Sequence, residues 1–146
     1  MFLDFKPEGG ELQRFEWRPG RIKSSDAAIL ERTYTKLAGE KRTYDQFKSD
    51  VVQGSAVARR VLLHHLIRQQ HPQSRIEDID PYDDEMTLLF SRSELEQMRD
   101  EAEKTNAIPA ADKDALLAKL AEEIETAPES EAEGKARSKT SDVATG

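Results

Sequence analysis

Apolar positions are densest in SAVARRVLLHHLIRQQH, residues 55–71. On a helix, at about 100° per residue, Ala58, Leu62, Leu63, Leu66 and Ile67 spread over roughly half the circumference. So wide an apolar arc predicts a central helix with 24–90 packed around it. Ser55 offers a cap after Gly54, and Pro72 marks the stop. Upstream, Ser24-Ser25-Asp26 reads as a helix start. Ala27, Leu30, Tyr34 and Leu37 then recur on one face that ends near Gly39. Thr43 and Gln46 form a capping box, and Tyr44, Phe47 and Val51 line a second short helix up to Gly54. Three helices with short connections result.

The flanks follow other patterns. Phe2, Leu3 and Phe5, then Gly9-Gly10, then Leu12, Phe15 and Trp17 read as two short extended pieces around a glycine turn. The prolines at 7 and 19 limit both pieces. Phe15 and Trp17 either cover an edge of the helical core or dock the arm onto a partner. Beyond the central helix, Asp80-Pro81 marks a turn, and Met86 to Phe90 is an apolar run able to pack on the core. Ser91 and Glu94 form another capping box, with Leu95, Met98 and Ala102 on one side of the helix it opens. Asn106 and Pro109 end that helix. Over 112–125, Leu116, Leu117, Leu120 and Ile124 make a narrow apolar stripe that can lie on the domain, pair with another copy or receive a partner. From Thr126 no aromatic, leucine or isoleucine remains, which predicts disorder. The fold class is therefore mainly α: a small helical domain around a central helix, with a short N-terminal β-hairpin or arm and a disordered C-terminal tail. The expected divisions are arm 1–23, helical core 24–105, accessory helix 106–125 and tail 126–146.

Composition narrows the function. With 35% charged and 36% hydrophobic residues, the chain pairs a moderate core with solvated parts. Its net charge of -7 argues against nucleic acid and against an anionic membrane surface. The absence of cysteine removes disulfides and thiolate chemistry. No apolar run approaches the length of a membrane-spanning helix, roughly 20 residues. A soluble intracellular protein is expected. Charge also changes sign along the chain: 57–75 holds four arginines, all three histidines and no acid, whereas 76–103 holds eleven acids against Arg92 and Arg99. Arg60, His64, Arg68 and His71 fall on one side of the central helix. They form a solvated face balanced by the acidic segment, a contact for an acidic partner, or a weak and salt-dependent contact for nucleic-acid phosphate.

No catalytic constellation emerges. Neighbouring His64 and His65 diverge by about 100°, and His64 lies about 10 Å along the helix from His71, so neither pair suits one metal ion. The acidic stretch 78–85 lacks the glycine hinge and distal glutamate of a calcium loop. No glycine-rich phosphate loop is present. The expectation is a non-enzyme with no metal or cofactor.

Taken together, FEWRPG at 15–20, AAILERTY from Ala27, TYDQFKSDVVQGS, VLLHHLIRQQHP and IEDIDPYDDEMTLLF resemble the tail assembly chaperones of long-tailed bacteriophages, especially those of actinobacteriophages. The resemblance spans about 15–101 and lies in the order and character of segments. It implies a helical protein of the host cell cytoplasm, absent from the mature virion, that binds the tape measure protein. It also implies help in recruiting tail tube protein, and self-association; family members are often made in two lengths by frameshifting. On this reading Arg60, His64, Arg68, His71, Phe15, Trp17, Leu117, Leu120 and Ile124 are the candidate partner-binding residues. The alternatives are a structural virion part such as a head-tail connector, and a helix-turn-helix DNA-binding regulator.

Overall fold

A computed structural model describes residues 1–130. Along the chain run β1 (Phe2–Phe5), β2 (Gln13–Glu16), α1 (Ser24–Ala38), α2 (Tyr44–Gln53), α3 (Ala56–Gln70), β3 (Met86–Leu89), α4 (Arg92–Lys104) and α5 (Ala110–Thr126). Single 3-10 turns lie at Ile76–Asp78 and Asp83–Glu85. The fold is mainly helical with a small three-stranded sheet, ordered β2-β1-β3. The chain forms two compact units, Phe2–Leu88 and Leu89 onward, with Met1 counted in the second.

In the first unit, β1 and β2 form the expected antiparallel hairpin, with Leu3 opposite Phe15 and Asp4 opposite Arg14. Gly9, at φ 72°, supplies the left-handed turn. An L-side chain would be strained there. The apolar run after Asp84 is a strand. Lys6 N–H donates to the Glu85 carbonyl at 2.9 Å as β3 joins the hairpin. Period-2 alternation is too short over four residues for sequence to distinguish a strand there from a packed coil.

Helices α1, α2 and α3 pack together, and the predicted ends hold at most positions. The Thr43–Gln46 capping box forms, and Ser55 Oγ accepts from Ala58 N–H. Gly39 and Gly54 close α1 and α2 in the left-handed region. The serines that open α1 do not cap it. Lys23 occupies that place with no side-chain cap, and Asp26 in the first turn complements the helix dipole. On α3 the buried set is Ala58, Val61, Leu62, Leu63 and Leu66, while Ile67 is only half-buried. Phe47 of α2 is the hub of the core. Its ring meets Trp17 edge-on at 6.3 Å, Tyr34 edge-on at 5.4 Å, and Tyr44 in a stack at 6.0 Å. Both arrangements are favourable for aromatic pairs. The arm is thus part of the core-bearing unit.

The second unit is a helical hairpin of α4 and α5. Leu95, Leu120 and Ala127 are buried together, with Phe90, Met98, Leu116 and Ile124 packed against them. Lys113, in the first turn of α5, donates to the carbonyls of Glu103 at 2.7 Å and Thr105 at 2.9 Å. That cation closes the end of α4, where the last carbonyls lack helical partners. After α5 the chain turns back to the start of α4. Arg92 N–H donates to the Pro128 carbonyl, and the Arg92 guanidinium pairs with Glu129 at 2.9 Å.

Two expected divisions shift accordingly. The core foreseen over 24–105 divides at 88/89, because α4 finds its apolar partner in α5. The disorder foreseen from Thr126 does not hold for 126–130. Ala127 fills the hairpin core, and residues 128 and 129 bond to the start of α4. The rest of that expectation, over 131–146, lies outside the described residues.

Candidate functional site

The basic side of α3 is the feature that sequence singles out, and its residues divide in two. Arg60 Nε donates to the Ile79 carbonyl at 2.6 Å and its terminal nitrogen to the Ile76 carbonyl at 3.0 Å. One turn on, His64 Nε2 lies 3.0 Å from the Ser74 carbonyl. A carbonyl only accepts, so this bond requires a proton on His64 Nε2. These three bonds tie the segment 74–79 to α3 through backbone oxygens, with no carboxylate taking part. Arg75 and Asp78, at 3.5 Å, form an ion pair within the segment itself. Arg68 and His71 remain exposed. Arg68 complements the negative end of the α3 dipole. His71 caps α3, its N–H donating to the Ile67 carbonyl at 2.8 Å.

His65, on the neighbouring side, is partly buried. Burial pushes its pKa below the usual histidine value; Asp26 opposes the shift, while Arg68 and His64 add to it. That shift favours the uncharged ring at neutral pH.

Other foreseen contact residues are used internally. Trp17 is 3% exposed and packs on Phe47, and Phe15 is buried opposite Leu3. The arm's aromatics therefore cover the core, and docking them on a partner would require opening the unit. Leu120 is 8% exposed, and Leu120 and Ile124 belong to the apolar seam with α4. Of that stripe only Leu117, half-buried, lies outside the seam.

Sequence reasoning passed over Val52 and Val57, and it placed Leu37 on the packed face of α1, where the structure leaves it open. Val52 and Val57 are each 42% exposed, one on each side of the Gly54 turn between α2 and α3. Leu37, at the end of α1, is also exposed, and Tyr34 one turn earlier donates to Asp50 of α2 at 2.5 Å. That bond joins the last turns of α1 and α2. Their signal in sequence was present: Val52 and Val57 lie off the buried faces of their helices.

Among the described residues, no three histidine, aspartate or glutamate side chains gather where a metal ion could be held. No helix there is long and apolar enough to cross a membrane. Compared with known protein families, curated proteins and solved structures, the chain matches none.

Proposed function

We propose that this chain is a non-catalytic assembly chaperone of the long-tailed phage type. On this reading it binds the tape measure protein in the host cell cytoplasm, keeps it soluble, helps tail tube protein assemble and is absent from the finished particle. The observation that carries the reading is the exposure of Val52 and Val57 on either side of the Gly54 turn, with Leu37 open at the end of α1, while the core beside them is well filled. A long helical client presents apolar side chains at i, i+3 and i+4, which exposed aliphatics of this kind can meet.

The magnitudes fit a coat of many weak contacts. Full burial of a valine or leucine is worth about 1.5–3 kcal/mol, so covering the exposed two-fifths of each side chain yields roughly 1 kcal/mol. Three such contacts fall short of the ~4 kcal/mol of a millimolar complex. A single copy would hold its client briefly, whereas many copies along one client bind through their combined valency. Arg68, exposed on α3, supplies steering for an acidic client. Arg60 is committed to its own loop.

Co-expression with the tape measure protein encoded by the same genome tests the proposal. The two proteins are expected to co-purify, and mass spectrometry of finished particles is expected to lack this chain. A stoichiometric presence in particles, with no co-purification, would make it a structural virion part instead.

A further inference from the structure

We infer that the outer edge of β2 is a self-pairing edge: two copies of this chain join β2 to β2, antiparallel about Phe15. The inference is independent of the chaperone reading. In the order β2-β1-β3, strand β2 pairs on one side only. Beyond that pairing, no backbone group of Gln13–Glu16 makes a hydrogen bond among the described residues. An unpaired row of this kind is a template for another strand, and proteins blunt it with charge. Here the charges are arranged to select one register.

A two-fold axis at Phe15 sets Arg14 of each copy opposite Glu16 of the other, and Gln13 opposite Trp17. Directly opposed residues share a face, so both Arg14–Glu16 pairs lie together on the side away from Phe15. Each pair extends an existing ion pair. Arg14 already binds Asp4 through two bonds of 2.7 and 2.8 Å, and Glu16 holds Arg18 at 3.1 Å. The result is a ladder of alternating charge, Asp4, Arg14, Glu16, Arg18, crossing the new seam twice. Neighbouring symmetric registers fail: an axis at Arg14 opposes two arginines, and one at Glu16 opposes two glutamates, both destabilising. The Phe15 axis also keeps the buried faces of both copies, marked by Leu3 and Phe15, on the same side of the joined sheet. Seams this short bury little surface, so the pairing is weak and concentration-dependent.

The register places Leu12, 55% exposed, opposite Arg18, also exposed. Because the chain has no cysteine, Leu12→Cys and Arg18→Cys give unambiguous cross-links. An oxidised mixture of the two variants is expected to form several-fold more disulfide-linked dimer than either variant alone. Two copies of residue 12 would lie about 20 Å apart, roughly six residues along the strands. Introducing Glu16→Arg into both should lower the yield about tenfold, since it opposes arginine to arginine. Raising salt should lower it as well without any change of sequence. Equal yields from the mixture and the single variants would overturn the pairing, as would a yield indifferent to both Glu16→Arg and salt.

Discussion

Replacing Arg60 by methionine keeps the apolar stem and removes the guanidinium that grips the segment after α3. Two bonds are lost, to the Ile79 and Ile76 carbonyls. A hydrogen bond from a charged donor contributes about 1.5–3 kcal/mol when well buried. Arg60 is only half-buried and the freed carbonyls can turn to water. The combined loss should therefore be about 1–3 kcal/mol. It should be local, because α3 keeps Val61, Leu62, Leu63 and Leu66 in the core. Native-state hydrogen exchange reads it directly. The amides of Asp78 and Ile79 bond to the carbonyls of Arg75 and Ile76. They should exchange about tenfold to a hundredfold faster, while those of α3 stay slow. Arg68→Met is the control, expected within about 0.5 kcal/mol of wild type as an exposed substitution. If Arg60→Met and Arg68→Met prove alike, with loop exchange unchanged, Arg60 is a free surface cation and the anchoring argument fails.

Phe47→Ala should cost about 3–5 kcal/mol, the range for a buried phenylalanine. It should also abolish near-ultraviolet dichroism from the Trp17, Tyr34 and Tyr44 rings around it. A loss under about 1 kcal/mol in urea titration would place the hub elsewhere. His65 has a folded pKa below its unfolded value, so the unfolded chain takes up its proton first. Its contribution is complete above about pH 6.5 and falls as pH drops through that value. Urea midpoints should therefore decline between about pH 7.5 and 5.5, and His65→Gln should flatten that decline; an identical slope would refute it. Ending the chain after Glu125 removes Ala127 and the Pro128 and Glu129 partners of Arg92. The α4–α5 hairpin should then lose about 1–2 kcal/mol and melt earlier, and unchanged melting would show that 126–130 is dispensable.

The parts of the fold that sequence revealed rest on local rules. Capping boxes at Thr43 and Ser91, glycine stops at 39 and 54, and the apolar faces of α1 to α3 each follow from neighbours a turn away. What it missed depends on distant partners. Nothing near 86–89 announces that β3 will join a hairpin formed at the far end of its unit. Likewise the stripe of Leu116, Leu120 and Ile124 is equally fit for a partner or for α4, and only the tertiary seam decides. The polar residues misled for a related reason. Arg60 and His64 looked like a surface for acidic side chains, but their bonds go to backbone carbonyls, which no pattern of charge along the chain encodes. Ala127 and Pro128 lay in a stretch poor in large apolar residues, yet a single methyl group sufficed to fill the hairpin end.

The central claim is that Val52 and Val57 meet a helical client, and the soluble fraction of the tape measure protein measures it most directly. Wild-type chain co-expressed with that protein should raise its soluble yield several-fold. The double variant Val52→Asp, Val57→Asp alters exposed positions and should keep native helical dichroism. It should lose the solubilising effect, because two carboxylates would face the client's apolar side chains. A tape measure protein that is equally soluble with wild type, with the double variant and alone would contradict the account.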